Sequence, residues 1–582
     1  MRERRYFIGC LAFLFAFPPF FPQMSYPGTA FLYASVIPLL FLLLCLDRCV
    51  TLQKVSALPL FLPLCAILLV SVIYTFHSIY PYQSQHKLLR LLIGTLLYLT
   101  VALIAGERRK RVVLGWAILC GGTLLAADAL SQQAAGYQGL LETLRREKLY
   151  DSIMQQELIK TLEAGRALGR FGNPNHLAGY LILALWTGVL LWPDCRQRWQ
   201  RLVLLGVGLV QVLCVYRTYS RSGLLALALS LGILGLWMLG RVNPSLRRRL
   251  LLAGGLACLV LLAGLLFFAG NALGGRLLVT STIQARIHFF RHALLLIADH
   301  LPGGTGLESF QYLATQHIRP GELESLYPHN IFLGTAVESG FVGLFALLWF
   351  SLVGLRWWGR SPDIRTVVGF GAFAAFLFLS CIDFHNEIAE ILFMFLALQG
   401  LCDARSFSAK PAGAISRLRL VVGVLIGVCL WWILVFCPYM AATYRERGLE
   451  AATVDRQTVL LFEKAAFWAP RDAQIANNLG NVLCDIPSPD ARKMGLEFLR
   501  RAVELNPAQA YFHGDLAEAM FEDNRAAEAL AENDIACRLF PKKVLYIRRK
   551  AKYSQALGQR EEWERWTEIA NQMEKQDREL RP

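Results

Sequence analysis

The chain is short of charge. Of its 582 residues only 18% are Asp, Glu, Lys or Arg, while 55% are hydrophobic and the mean hydropathy is +0.42. Soluble domains carry about 25% charged residues, so a soluble globular protein and a disordered chain are both excluded. Acids are scarcer than bases, 43 against 59, which leaves a formal charge of +16. The 14 cysteines are scattered, with no CxxC and no Cys/His zinc spacing, which excludes a disulfide scaffold and a zinc site. They read as small apolar packing residues. No small-x-small cleavage site follows Arg2, Arg4, Arg5 and the apolar run behind them, so the first segment reads as an uncleaved helix.

What is present divides near residue 440. Residues 441–582 hold 22 Lys+Arg and 23 Asp+Glu, a soluble-like and nearly neutral mixture. The whole basic excess therefore belongs to residues 1–440, which break into thirteen apolar runs at 6–22, 28–46, 57–76, 88–105, 112–130, 175–192, 202–219, 222–240, 250–270, 330–355, 366–382, 387–402 and 420–440. Their lengths suit helices crossing a bilayer. The expected fold is all-α: a polytopic membrane bundle of about 12–13 spans over 1–440, then a soluble helical domain over 441–582. Basic residues cluster in the connections that fall on one side, notably Gly106–Arg111 and Gly240–Arg249, while the short opposite connections hold only Lys87, Arg90, Arg217 and Arg221. This asymmetry puts the N-terminus inside, and an odd number of spans then puts 441–582 outside the cytoplasm. The charge is thus a sorting signal and not a nucleic-acid footprint.

Residues 441–582 are Ala-rich and amphipathic, with no strand-like alternation. Pro470, Pro507 and Pro541 are spaced by 37 and 34 residues, close to the tetratricopeptide period. About three degenerate repeats are expected, of a kind that stacks into a concave surface for a protein partner. Cys484 and Cys537 lie in this part and could pair.

Two outer connections, 131–174 and 271–328, are long enough to be functional. The second reads as a helix near 278–300 with an apolar face of Phe289, Phe290, Leu294 and Ile297. A Pro302-Gly303-Gly304 turn follows, then a second helix opened by a capping box at Thr305–Glu308. Polar residues gather at the outer ends of spans: Arg170 before Asn173-Pro-Asn175-His176, Arg221 in Thr218–Ser222, Arg286, His329 in Tyr327–Asn330, and Asp383–Glu387. Outer arginines run against the sorting rule, and ionisable groups at membrane depth are costly. An anionic lipid headgroup such as a lipid diphosphate suits them, because arginine binds phosphate oxygens bidentately and stays charged. Bland roles compete: snorkelling for Arg221, a solvated face for Arg286, a helix cap for His329, and turn and cap positions for Asn173 and Asn175. His288 and His292 stand at i,i+4 without a third ligand, so no metal is read there.

Taken in order, these motifs resemble the O-antigen ligase and polymerase superfamily. The carriers are Phe171–Ala178, Tyr219-Ser-Arg-Ser222, Arg286 before Pro302–Gly306, and Pro328-His-Asn330 before Glu338–Gly343. They cover roughly residues 60–400. The resemblance implies a GT-C-type bundle in the bacterial cytoplasmic membrane. It also implies an inverting, metal-independent glycosyltransferase with no cofactor, whose donor is a glycan on undecaprenyl diphosphate. The ligase acceptor would be a lipid A core hydroxyl. A polymerase, a protein O-oligosaccharyltransferase and, less well, a transporter stand as alternatives. Carried over residue by residue, the family's essential arginines and histidine fall on Arg221, Arg286 and His329. Asp383, Asn175 and Arg170 are the substrate-binding candidates. The repeat domain is a departure from the simple ligase pattern, and it leaves the acceptor and a repeat-bound partner open.

Overall fold

The computed structural model describes residues 4–16, 27–46, 52–146, 153–239, 280–319, 322–358, 363–405, 417–451 and 454–580. The run expected at 250–270 lies outside them. Among the described residues the regular structure is helical, with no strand. The membrane part comprises α1 (Arg4–Ala16), α2 (Pro27–Leu46), α3 (Phe61–Phe76), α4 (Pro81–Ile104), α5 (Arg108–Ala135), α6 (Pro174–Leu191), α7 (Arg198–Arg217), α8 (Arg221–Leu239), α9 (Thr280–Asp299), α10 (Ile331–Trp358), α11 (Ile364–Ile382), α12 (Ala389–Asp403) and α13 (Arg417–Trp431). Among the described residues eight helices are long and apolar enough to cross a membrane, and Thr29–Cys45 and Phe61–Phe76 are shorter apolar helices. Each expected run outside 250–270 meets a helix.

Helix α12 shows why length and burial must be read together. It has 15 residues, and apart from Glu390 all of them are buried. A helix apolar on every side belongs in a core, and here α4, α6 and α11 pack around it. Helix α6 is nearly as enclosed, contacting α5, α7, α8, α11 and α12. This central pair carries the turn 383–387 at the start of α12 and the Asn-Pro-Asn segment at the start of α6.

The Pro-Gly-Gly turn and the Glu338-Ser-Gly340 motif explain each other. Helix α10 is broken at Gly340, whose backbone has φ 57° and ψ −157°. The loop closes over the break: Thr305 N–H donates to Val337 O (2.9 Å), Gly306 N–H to Glu338 O (2.8 Å), and Phe341 N–H to Pro302 O (3.3 Å). Backbone groups freed at membrane depth must find such partners inside the protein. The second loop helix differs from the expectation. It begins only at Phe310, and Ser309 is its N-cap residue. The Glu308 carboxylate cannot reach back to complete a capping box because it pairs with Arg90. Helix α9 matches its predicted bounds, but Ala285, Phe289, Ala293 and Leu296 face inward while Ile287 and Leu294 are exposed. The predicted apolar face is therefore split between the protein and the surroundings.

Beyond α13, a π-turn at Trp432–Phe436 leads straight into α14 (Cys437–Leu449). Seven helices follow: α15 (Arg456–Trp468), α16 (Ala473–Cys484), α17 (Pro489–Leu505), α18 (Ala510–Glu522), α19 (Ala526–Leu539), α20 (Val544–Ala556) and α21 (Arg560–Leu580). They pair as hairpins α14/α15, α16/α17, α18/α19 and α20/α21. The first hairpin thus borrows the end of the membrane-derived helix, which the proline spacing does not reveal. Cys484 and Cys537 are free thiols. These hairpins rest on the segment 280–319 through a shared apolar cluster that includes Tyr80, Leu296, Phe310, Ala473 and Phe512. Tyr80 Oη donates to Asp472 Oδ1 (3.1 Å) and accepts from Ala473 N–H (3.0 Å).

The helix break yields a test. A Cβ at Gly340 would lie 2.2 Å from Pro302 O, a backbone atom, at a positive φ. Gly340→Ala is expected to cost at least the roughly 1–3 kcal/mol of a strained backbone site, read as a fall in Tm of the detergent-solubilised protein. Gly232→Ala, with nothing within 4 Å, should leave Tm unchanged. Equal Tm values for both variants would contradict the described packing.

Candidate active site

Four elements deliver polar side chains to one point at the end of the helical bundle. At the start of α6, Asn173 Oδ1 accepts from Asn175 N–H (2.9 Å), a local cap that leaves the Asn175 side chain free to turn elsewhere. Asn330 caps α10 in the same way, accepting from Phe332 N–H (2.9 Å) and Leu333 N–H (3.0 Å). The helix-cap role weighed for His329 therefore belongs to its neighbour. His329 itself has φ 55°, an uncommon conformation for a residue with a side chain. Its ring is stacked on Phe289 of α9 (5.0 Å) and meets Phe384 edge-on (4.8 Å). Ser220 accepts from Gly223 N–H (3.1 Å) at the head of α8, so the serine of the Ser-Arg-Ser motif is spent on the helix end and Arg221 occupies its first turn.

Asp383 is the hub. It is 2% exposed. His329 Nδ1 lies 2.9 Å from its Oδ1, and Arg286 Nη2 lies 3.4 Å from its Oδ2. Asn175 Nδ2 donates to Oδ2 (3.0 Å), and Phe384 N–H donates to Oδ1 (2.9 Å). Burial pushes this carboxyl up, but the contact with His329 and the imidazoles of His385 and His176 outweigh it and hold Asp383 well below the usual carboxylate range. With Nδ1 at the carboxylate, the other ring nitrogen of His329 faces Ser325 Oγ at 3.2 Å. Burial lowers the pKa of His385, whose Nε2 lies 3.1 Å from Asn175 O. That contact fixes the backbone beside the Asn175 side chain.

Of the six residues singled out in the sequence, Asn175, Arg286, His329 and Asp383 come together directly. Arg221 is near enough for its charge to act on Arg286. Arg170 pairs with Asp128 at 3.7 Å.

The sequence reading missed a second layer. Lys87 Nζ is 2.9 Å from Glu338 Oε2 and 2.6 Å from Glu387 Oε1. Arg90 pairs with Glu308 and lies 3.2 Å from Glu387 Oε2. Burial pushes the Glu387 carboxyl up, but Lys87 and Arg90 hold it below its ordinary value. Lys87 and Arg90 were legible only as outer charges. Their one signal was a pair of cations, three residues apart, at the head of an apolar run.

His292 and His288 face the same carboxylate. Glu322 Oε2 lies 3.0 Å from His292 Nε2 and 2.6 Å from Arg291, and Glu322 Oε1 lies 3.8 Å from His288. Burial lowers the pKa of His292. Burial also pushes Glu322 up, but the Arg319 N–H, His292 and Arg291 bring it net below its ordinary value. Both shifts act in one direction. A carboxylate with a depressed folded pKa loses its stabilising contribution as pH falls through that value, and a histidine with a depressed folded pKa favours the opened chain once pH falls below its unfolded value. The 280–322 loop should therefore exchange amide hydrogen faster at pH 5 than at pH 7.5, after correction for intrinsic rates. The pH 5–7.5 window is that of His292, because Glu322 acts only below the ordinary carboxylate range, so His292→Gln should shrink that difference, and a pH-independent exchange pattern would contradict the assignment.

The comparisons with known proteins bear on the same region. A family model described as "O-Antigen ligase" (Wzy_C) matches residues 206–348, a stretch that contains Arg221, Arg286 and His329. No curated protein matches the chain. Among solved structures, one described as "MamA MSR-1 C2" is 23% identical, with a TM-score of 0.21, and the match covers 27% of this chain and 88% of that one. Another, "MamA AMB-1 C2221", is 21% identical, again with a TM-score of 0.21, covering 27% of this chain and 89% of that one. Residues 206–348 are thus similar to the O-antigen ligase family, the family that the motifs in that stretch resemble.

Proposed function

We propose that the protein transfers a glycan from undecaprenyl diphosphate to an acceptor hydroxyl at the outer face of the bacterial cytoplasmic membrane, with a lipid A core sugar as the ligase-type acceptor. The observation that carries this reading is the buried Asp383 set between His329 at 2.9 Å and Arg286 at 3.4 Å. It provides an oriented base beside a fixed cation. In the inverting reaction the acceptor oxygen bonds to the anomeric carbon as the bond to the diphosphate oxygen breaks. The hydroxyl proton passes to His329 Nε2, the nitrogen that now faces Ser325 Oγ. The carboxylate charge 2.9 Å from Nδ1 favours a proton on that nitrogen, which leaves Nε2 to accept.

Arg221 and Arg286 offset the charge that grows on the leaving diphosphate, the role a divalent cation would otherwise take. Arg221 also opens α8, where the helix dipole adds positive potential. Asn175 holds Asp383 in place through Oδ2, and Arg170 serves at the periphery of the diphosphate. The repeat domain over 441–582 is read as extracytoplasmic and as a docking element for the acceptor or a protein partner.

The test is reconstitution with radiolabelled undecaprenyl-diphosphate glycan and candidate acceptors. Arg221→Ala and Arg286→Ala should each lower kcat by about 10²–10³-fold, the scale of a lost oxyanion-type donor. His329→Gln should abolish most transfer while leaving donor binding intact. Undiminished turnover in Arg221→Ala would sink the diphosphate role. A polymerase would instead be revealed by a knockout that accumulates single lipid-linked units, where a ligase knockout accumulates long lipid-linked polymer.

A further inference from the structure

A cavity of about 450 Å³ lies where the membrane part and the repeats meet, within the range of small-molecule sites, about 300–1,000 Å³. Its wall combines Tyr82 and Gln83 from α4, Arg445 from α14, Asn506 and Gln509 from the turn between α17 and α18, and Tyr511 from the first turn of α18. Asn506 is 1% exposed, yet neither its Oδ1 nor its Nδ2 has a hydrogen-bond partner, and Arg445 Nε is likewise buried without one. A buried carboxamide left unpaired costs roughly 1–3 kcal/mol, so a group that is retained in this state points to a ligand that completes it.

The lining defines that ligand's chemistry. A carboxamide offers a donor and an acceptor side by side, which matches neighbouring sugar hydroxyls. Tyrosine rings offer a flat apolar face with a polar tip, which covers the C–H face of a sugar ring. Arg445 is offset by Asp472 in the same wall, so no net positive charge is presented to a polyanion. The wall is also fixed in advance: Asp472 is held by Tyr80 at 3.1 Å, and Tyr511 donates to Gln474.

We infer that this cavity is a glycan-binding site, separate from the Asp383 centre, in which the repeat domain and the outer end of α4 together hold a short uncharged stretch of saccharide. The choice of a glycan over another polyhydroxylated ligand rests on the transfer reading above. Assignment to the first repeats makes their role one of holding sugar between two domains, and it does not use their concave face.

The experiment uses full-length protein in nanodiscs and free oligosaccharides released by mild acid from the producing cell's lipid-linked glycans, with binding read by saturation-transfer NMR and calorimetry. The wild type should bind saturably, and His329→Gln should bind equally well. Asn506→Ala and Gln509→Ala should each weaken binding at least tenfold. Gln509 is partly exposed and guards against a folding defect at Asn506, with Tm checked for both. Absence of saturable binding by the wild type, or unchanged affinity in both cavity variants, would overturn the site. So would loss of binding in His329→Gln with retention in the cavity variants. Transfer is measured in parallel. Normal turnover in Arg221→Ala together with lost binding in the cavity variants would sink the diphosphate role and keep the glycan site, and the reverse pattern would do the opposite.

Discussion

Glu387 is the constraint on which the site end of the helical bundle depends. Its two carboxylate oxygens are divided between Lys87 and Arg90, which in turn hold Glu338 and Glu308. Taking such charges out of water costs several kcal/mol per ion, repaid only where geometry and hydrogen bonds are complete. Two cations and three carboxylates at this depth therefore fix one arrangement of the four segments that carry them: α4, the loop before Phe310, α10, and the turn leading into α12. Glu387 is four residues from Asp383 and Glu338 is nine from His329. The network that locks the first pair of positions thereby sets the distance between the second.

The break in α10 is what lets the loop join this arrangement. An unbroken helix would leave no carbonyls for Thr305 and Gly306, and the 302–306 backbone would have to find partners elsewhere. With Gly340 in a conformation reserved for glycine, the Val337 and Glu338 carbonyls receive the loop N–H groups. The same backbone turn positions the Glu338 side chain for Lys87. Two glycine-containing motifs some thirty residues apart are therefore one structural unit. The stacking of Phe289 on His329 follows from it, because α9 leads directly into the loop.

Much of this was legible in the sequence, and what was not has physical reasons. Apolar run length located the helices, because a bilayer fixes that length. It did not distinguish α12, a 15-residue helix enclosed by protein, since burial in lipid and burial in protein demand the same residues. Arg286, His329 and Asn175 were legible as polar residues standing where polarity is expensive, and the order of the motifs tied them to one end of the bundle. Asp383 was legible only loosely. Its importance comes from being shared by two partners 54 and 97 residues away in the chain, and pairing at such separation leaves no local pattern. The Lys87 and Arg90 network was hidden for the same reason. The capping box at Thr305–Glu308 failed because a local hydrogen bond lost to a long-range ion pair. The first repeat hairpin was hidden because half of it is the continuation of a membrane helix.

The sharing of Asp383 has a consequence for how the proposed reaction balances its charges. At rest one carboxylate faces both Arg286 and His329, and its two oxygens are divided between them. Arginine carries five N–H donors in a rigid fork, and the contact to Asp383 engages Nη2 alone, so an arriving diphosphate can be met by the remaining donors without breaking the hub. As negative charge grows on the leaving phosphate, Arg286 is drawn toward it and shields Asp383 less. The carboxylate is then more available to the imidazolium forming at His329. Leaving-group stabilisation and base strength rise together in such an arrangement, and Asp383 couples them because it is too buried for water to intervene.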